Sequence, residues 1–578
     1  MTAFRVWAPA ARKVEVDAGG RCVGMELVGD SGWHQAEVSG AGPRTDYRFL
    51  LDGGEALPDP RSPWQPEGMD GPSRLVDHGE FSWTDDGWQG VHLASSVLYE
   101  LHVGTFTPEG TFDAAIAKLD HLVDLGVGAV ELMPVAEFPG RRGWGYDGVC
   151  LYAPHHAYGG PDGLKRLVDA CHRRGIGVIL DVVYNHVAPG GERMGRFGPY
   201  FGGAVTPWGP AFNLDGSGSD EVRAFLVDNA LGWLEHYHCD GLRLDAVDAM
   251  VDTSAVHLLE QLAEEVADAA ARLGRALVLI AESDANDPRL VRRREVGGYG
   301  MDAQWSDDFH HALHAVLTGE GDGYYVDFGT VGHLARAFER GFVYTGEYSR
   351  YRQRSHGRLD PELSGHRFVV YLQNHDQVGN RARGERTGAL VTLGRLEVGA
   401  ALVLTSPFVP LLFQGEEWGA TTPFLYFTDH GDPVTGRSVL EGRLREFAPF
   451  GWQAEDVADP EGPATFERSK LRWEERDHEP HRRLLGWHRE LLRLRRRVPE
   501  LCDGRLDRVR TAYDEAGRWL VVDRGAVVTA CNLGDRGQVL RLSGDVLLGS
   551  DGVRRVGPSA LLLPPDTVAI LRAGSAAS

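Results

Sequence analysis

The chain has 578 residues and a formal net charge of −23 at pH 7. That sign of charge argues against a nucleic-acid partner, because neutralising phosphates needs a basic face. Hydrophobic residues make up 42% and charged residues 25%, which is ordinary for a globular protein. The length predicts roughly three domains on a prior of about 150 residues each, or fewer if one large barrel takes more than half of it. No apolar run is long enough to span a bilayer, so we expect no membrane partner.

The six cysteines are scattered along the chain, and none forms a C-x-x-C pair. This pattern is too sparse for a disulfide framework and fits a reducing compartment. The first residues contain no basic segment followed by an apolar one, so we expect no secretory signal. A cytoplasmic location is therefore predicted.

Residues 1–92 have the pattern of a small β-sandwich, with short alternating runs separated by Gly, Pro and Asp. We interpret this domain as similar to a carbohydrate-binding module. Within it, residues 57–73 are too rich in proline for a strand or helix. We expect this stretch to be an ordered loop that docks on the next domain, since it carries Trp64.

Residues 93–500 alternate between short apolar strands and helices. Repeated β-then-α units predict a parallel sheet, and eight of them predict a closed (β/α)8 TIM barrel. An open doubly wound sheet is disfavoured because no Gly-rich fingerprint follows the first strand. The eight predicted strands are Val97–Val103, Ala129–Val135, Gly177–Tyr184, Asp240–Val247, Ala276–Glu282, Asp302–Ser306, Phe368–Gln373 and Phe408–Phe413.

Three long segments interrupt the barrel pattern and are predicted to be functional loops: an insertion at 187–219 after strand three, and irregular loops at 320–365 and 420–475. Residues 501–578 return to short β runs and predict a C-terminal β-sandwich. The predicted fold is therefore a multidomain α/β protein, with a central barrel flanked by two β-sandwich domains.

Charged residues follow the predicted strands where barrel enzymes place their chemistry. Asp245, Glu282 and Asp376 end strands four, five and seven, so the three carboxyl groups are expected to converge on one face. Like charges at short range repel, so one of the three tends to keep its proton near neutral pH. A carboxylate beside a carboxylic acid is the catalytic pair that most glycoside hydrolases use.

Each feature alone also has a purely structural interpretation. Arg243 and Asp245 could form a structural ion pair, and Asn374-His375-Asp376 could be a capped turn. Metal chemistry has little support, because the chain has neither a His-Glu-x-x-His motif nor an EF-hand loop. No cofactor is predicted.

Four segments, 181–186, 241–245, 281–284 and 373–376, resemble the conserved segments of the α-amylase superfamily of glycoside hydrolases. The resemblance implies a retaining mechanism with Asp245 as nucleophile and Glu282 as general acid/base, while Asp376 holds the hydroxyls of the distorted sugar. It also implies that the attacked sugar is bound by Arg243, His186, His375 and Tyr146, with Asp181 and Asn185 in more structural roles.

Several longer stretches, including 58–73, 281–289, 304–311, 414–418 and 424–430, are similar to the maltooligosyltrehalose trehalohydrolases of that superfamily. This resemblance implies an oligosaccharide substrate, maltooligosyltrehalose, cut at the α-1,4 bond next to its terminal trehalose. It implies maltooligosyltrehalose synthase as the functional partner. A branching or debranching enzyme and a non-catalytic glucan-binding protein remain the alternatives.

Four residues mark the expected differences in substrate binding. Trp305, Tyr325 and Trp418 are candidate sugar platforms, with core packing as the alternative for each. Asp248 stands where relatives usually carry His or Lys, which puts the affinity for the leaving-side sugars in doubt.

Overall fold

The protein is described from a computed structural model covering residues 1–573; residues 574–578, the end of the predicted C-terminal domain, lie outside the described residues. At its centre is a closed parallel barrel in which each strand pairs with the next and the last pairs with the first. The eight strands are β1 (Leu98–Leu101), β2 (Ala129–Leu132), β3 (Gly177–Val182), β4 (Gly241–Leu244), β5 (Val278–Ala281), β6 (Ala303–Trp305), β7 (Phe368–Tyr371) and β8 (Val409–Phe413). The predicted TIM barrel is confirmed.

The barrel strands are three to six residues long, and most of their paired residues are apolar. All four residues of β4 and of β5 are buried, as expected where helices cover the outside and side chains fill the inside. Of the polar groups expected to act, Asp181 and Arg243 are paired residues of β3 and β4, whereas the carboxyl groups of Asp245 and Glu282 come just beyond the last residue of β4 and β5. Asp245 follows β4 and Glu282 follows β5, and each still donates its backbone N–H to the neighbouring strand at 3.0 Å.

Helices surround the barrel. The strand β5 is the exception, since only 3-10 turns at Pro288–Leu290 and Arg294–Val296 precede β6. None of the helices within residues 1–573 is both long and apolar enough to cross a membrane. The outer helices are Phe112–Ile116, Leu119–Leu125, Gly160–His172, Ser219–Glu235, Leu258–Leu273, Asp307–Thr318, Val331–Arg340, Leu393–Leu404 and His481–Arg497.

The N-terminal region is a sandwich of two small antiparallel sheets. One sheet contains Thr2–Trp7, Trp33–Val38 and Glu26–Leu27, and the other contains Arg21–Gly24, Val14–Ala18, Asp46–Leu51, Ala56–Leu57 and Ser73–Arg74. The segment 57–73 contacts the barrel: Arg61 Nη1 lies 2.8 Å from Asp228 and 2.9 Å from the hydroxyl of Tyr152.

The C-terminal region is also built from two sheets. A five-stranded sheet contains Arg510–Asp514, Trp519–Asp523, Val527–Asn532, Thr567–Arg572 and Asp545–Gly549, and a three-stranded sheet contains Gln538–Arg541, Ala560–Leu563 and Arg554–Gly557. The expected arrangement of a barrel between two sandwiches is thus observed.

The long segments contain more regular structure than expected. Residues 320–365 include the helix Val331–Arg340, and residues 420–475 include the helices Pro433–Phe447 and Pro463–Arg468. The sequence of the helix Pro433–Phe447 has no apolar stripe, and accordingly only Gly436 and Phe447 of this helix are buried. The insertion 187–219 carries a hairpin, Phe201–Thr206 with Gly209–Phe212.

Candidate active site

The guanidinium of Arg243 organises the carboxyl groups at the carboxyl end of the barrel. Its Nη1 donates to Asp245 Oδ1 at 2.9 Å and to Asp181 at 2.8 and 2.9 Å. Its Nη2 lies 2.9 Å from Glu282 Oε2, although the two atoms are not aligned for a hydrogen bond. Arg243 is fully buried, and a buried cation needs such partners because desolvation costs several kcal/mol. One side chain therefore brings Asp245 and Glu282 to adjacent nitrogens of a single planar group.

The carboxyl group of Glu282 is held by a turn that follows Asp245. Ala246 has a φ of 38°, in the left-handed region, and its backbone N–H donates to Glu282 Oε2 at 2.8 Å. A non-glycine residue in that region carries a cost of order 1–3 kcal/mol, and such strain is typical of functional sites. Burial raises the pKa of Glu282 well above its ordinary value, and the charges of Asp245 and Asp376 raise it further against the opposing effect of Arg243. Glu282 can therefore hold a proton near neutral pH.

The third carboxyl group, Asp376, is paired with a histidine. His375 Nε2 lies 3.3 Å from Asp376 Oδ1, while Nδ1 of the same ring contacts Glu100. Burial alone would lower the pKa of His375, but Asp376 and Glu100 raise it well above its ordinary value. Burial likewise opposes ionisation of Asp376, and the imidazolium still lowers its pKa to about 2. Asp376 is thus an ionised acceptor with a third of its side chain exposed.

The remaining predicted polar residues complete the same pocket. Tyr146 donates its hydroxyl to Asp181 at 2.6 Å, and its ring stacks on His375 with centroids 5.1 Å apart. Asn185 Nδ2 donates to Asp245 Oδ2 at 2.8 Å, and Asn185 Oδ1 contacts Nδ1 of His186. The second oxygen of Asp245 is therefore fixed as firmly as the first.

Known proteins match this chain along nearly its full length. It is 48% identical to malto-oligosyltrehalose trehalohydrolase of Mycobacterium tuberculosis over all of both chains, and 50% identical to that of Arthrobacter ramosus over 97% of this chain and 99% of the relative. The chain belongs to the malto-oligosyltrehalose trehalohydrolase family. Residues 79–193 also match the family model "Alpha amylase, catalytic domain", and residues 504–570 match "Domain of unknown function (DUF3459)". A crystal structure of a putative alpha amylase from Salmonella typhimurium superposes with a TM-score of 0.91 at 40% identity, covering 99% of this chain and 97% of the other.

Three aromatic residues predicted as sugar platforms for this family member lie in the core. Trp418 is fully buried; it packs edge-on against His121, with centroids 5.7 Å apart, and in a tilted arrangement against Trp473, with centroids 5.1 Å apart. Tyr325 is 2% exposed and stacks on His314 at 4.5 Å. Both rings are enclosed by other side chains, which favours core packing over a sugar platform for each of them.

Trp305 is also only 2% exposed, but its position is informative. The guanidinium of Arg243 lies 4.1 Å from its ring centroid, and Tyr371 packs edge-on at 5.5 Å. Trp305 therefore supports Arg243 from inside the barrel by a cation–π contact and offers no platform to a sugar.

The structure reveals one aromatic residue that the sequence analysis missed. Trp208 lies at the turn of the hairpin in the insertion 187–219, is 53% exposed, and sits 5.6 Å from the ring of His186. The available signal was a lone tryptophan between Pro207 and Gly209, because a large apolar residue in a turn has little core to join. A second missed residue is Glu100 on β1, the partner of His375.

Two further features of this family member bear on its predicted chemistry. Asp248 is exposed, and both of its carboxylate oxygens lie 2.9 Å from the hydroxyl of Ser283, so it faces the rim and not the carboxyl cluster.

Glu137, His155 and His156 lie close enough to hold a metal ion. However, His155 Nδ1 accepts from the N–H of Ala157 at 3.1 Å, which places the hydrogen of the neutral ring on Nε2, the nitrogen facing Glu137. Glu137 accepts hydrogen bonds from the backbone N–H and Nδ1 of His156 at 2.9 and 2.8 Å, whereas His155 Nε2 lies 3.9 Å from Glu137 and is not hydrogen-bonded to it.

Proposed function

We propose that the protein hydrolyses the α-1,4-glucosidic bond next to the terminal trehalose of maltooligosyltrehalose, with retention of configuration, and releases trehalose. The observation that carries the proposal is that the guanidinium of Arg243 contacts both Asp245 and Glu282. The retaining reaction needs the first of these as a carboxylate nucleophile and the second as a protonated acid. Retaining glycosidases hold their two carboxyl groups about 5–5.5 Å apart. Contact with adjacent nitrogens of one guanidinium supports that close spacing.

In the first step, a carboxylate oxygen of Asp245 attacks the anomeric carbon of the glucose joined to trehalose. The bond from that carbon to the 4-oxygen of trehalose breaks, and the proton of Glu282 passes to this oxygen. In the second step, Glu282, now a carboxylate, takes a proton from water, whose oxygen attacks the same carbon and displaces Asp245. The maltooligosaccharide then leaves and Glu282 is protonated again.

The surrounding residues bind the sugar that is attacked. Ionised Asp376 is suited to accept hydrogen bonds from its hydroxyl groups, and protonated His375 keeps Asp376 in this state. The ring of Tyr146 offers an apolar face below the sugar, and His186 lies beside Asp245. Arg243 donates a hydrogen bond to Asp245 Oδ1 at 2.9 Å and so holds the attacking carboxyl group in place.

The substrate constrains the reaction that precedes this one. Maltooligosyltrehalose carries an α,α-1,1 linkage at its end, so an enzyme must first isomerise the terminal α-1,4 bond of a maltooligosaccharide. We assign this role to maltooligosyltrehalose synthase as functional partner. The cytoplasmic location predicted from the cysteines remains part of the proposal, and all six are free in the structure.

The direct test is a product assay on maltooligosyltrehalose and, in parallel, on plain maltooligosaccharide. We expect trehalose and a shortened maltooligosaccharide from the first substrate and slow release of short sugars from the second. Asp245→Asn and Glu282→Gln should each lower kcat by several orders of magnitude while the fold is retained. Cleavage restricted to α-1,6 bonds, glucan transfer, or near wild-type turnover by either variant would overturn the proposal.

A further inference from the structure

A second cleft lies where the N-terminal sandwich meets the helix Gly160–His172 of the barrel. Its volume is about 230 Å³. Trp64, Leu75, Val76 and Phe81 from the N-terminal region form one side, and the barrel contributes Pro161. Pockets of drug-sized ligands span about 300–1,000 Å³, so this cleft suits a smaller group, such as one or two sugar rings.

The floor of the cleft is apolar and held in place from behind. The side chain of Arg74 covers the ring of Trp64 at 5.1 Å and is fixed by Asp46 at 2.9 Å. The edge of the same ring abuts the barrel, because a Cβ added to Gly160 would lie 2.8 Å from Trp64 Nε1. Phe81 packs edge-on against Trp83 at 4.8 Å. A rigid aromatic floor of this kind needs no rearrangement to bind a ligand.

The rim carries charged side chains of both signs, with carboxylates in excess. Asp77, Glu80 and Asp162 line it together with Arg44 and Arg166, and all five are exposed. Arg166 is already engaged by the two carboxylate oxygens of Asp113, both at 2.8 Å. This balance disfavours a phosphorylated or otherwise anionic ligand, because the remaining field is negative. It suits a neutral ligand with many hydroxyl groups, because carboxylates accept hydrogen bonds from hydroxyl groups and arginine donates hydrogen bonds to them.

We propose that this cleft is a second binding site for the protein's glucan, holding one end of a short α-1,4-linked glucan against Trp64 and Phe81 while Glu80 and Asp162 accept hydrogen bonds from its hydroxyl groups. The ring C–H groups of a pyranose are apolar, and its hydroxyl groups project around the edge. The ligand therefore matches both the floor and the rim. The choice of an α-1,4-glucan rests on the proposed function.

Isothermal titration of Glu282→Gln with maltohexaose provides the test, since the substitution prevents turnover and leaves the cleft untouched. Two binding sites per chain are expected. Adding Glu80→Ala and Asp162→Ala should weaken one site by at least about tenfold, equal to about 1.4 kcal/mol, and leave the other unchanged. Asp268→Ala, which removes an exposed carboxylate from a helix that does not line the cleft, should retain both sites. Val76→Trp, which fills the cleft, should abolish the same site.

Cellohexaose, a β-linked glucan, should occupy this site at least about tenfold more weakly than maltohexaose. A single site for maltohexaose, or a second site unaffected by both sets of substitutions, would overturn the proposal, and so would equal binding of cellohexaose. Trehalose release by Glu80→Ala/Asp162→Ala in the otherwise unchanged enzyme should stay within about twofold of wild type on a short substrate. Absence of trehalose release from the unchanged enzyme would count against the proposed function alone, because the titration does not depend on turnover.

Discussion

Replacing Arg243 with lysine tests whether the guanidinium holds the reacting groups in place. The wild-type side chain contacts Asp181, Asp245 and Glu282 at 2.8 to 2.9 Å and stacks 4.1 Å from Trp305. A lysine keeps the positive charge but carries one nitrogen in place of the planar fork, so it cannot meet all three carboxyl groups at once. Loss of the hydrogen bond to Asp245 alone is worth about 1.5–3 kcal/mol. At about 1.4 kcal/mol per factor of ten, kcat/KM should fall roughly 10- to 150-fold.

The assay measures trehalose release from maltooligosyltrehalose together with thermal unfolding. Arg275→Lys is a matched control, because Arg275 approaches Asp240 Oδ1 at 3.5 Å at the opposite end of the same strand β4. The control should lose stability without a change in kcat/KM. A folded Arg243→Lys protein with kcat/KM within about twofold of wild type would refute the assigned role, because that ratio corresponds to less than about 0.5 kcal/mol.

Three further predictions concern the groups around Arg243. The alkaline limb of kcat/KM should fall well above the ordinary 4.5 of a glutamate carboxyl, because Glu282 must be protonated to act and its pKa is raised; a limb near 4.5 in a pH-rate profile would contradict this. Glu100→Gln should lower the pKa of His375, because a carboxylate partner is removed, so that kcat/KM declines at a lower pH than in wild type; an unchanged pH profile would argue for a merely structural role. Trp208→Ala should raise KM several-fold, because the ring lies beside His186, and should change Tm little, because the ring is half exposed. Initial-rate kinetics and melting curves measure both quantities, and an unchanged KM would contradict this prediction.

The barrel could be predicted from the sequence because each strand is a short, mostly apolar run that is buried on both faces. Even the weak run around Ala303–Trp305 pairs with both neighbours, since its position between stronger strands fixes its register. The carboxyl cluster was predictable for a related reason. Parallel strands end at the same edge of a barrel, so Asp245, Glu282 and Asp376 converge whatever the details of the loops.

The aromatic platforms could not be predicted, because composition does not tell which face of a ring meets solvent. Trp418 lies in a 3-10 turn after β8 that points into the core, whereas Trp208 stands on a hairpin that leaves the barrel. Tertiary packing decides between these two outcomes. The sharing of Arg243 between Asp181 and Glu282 was equally hidden, because it depends on the register between three strands.

The most direct test of the central claim is proton NMR of the first products from maltooligosyltrehalose. Trehalose has no reducing end, so the anomeric signal that appears first belongs to the maltooligosaccharide alone. Retention through Asp245 and Glu282 predicts trehalose together with the α-anomer, followed by slow mutarotation to the β-anomer. Initial appearance of the β-anomer, or the absence of trehalose, would contradict the account.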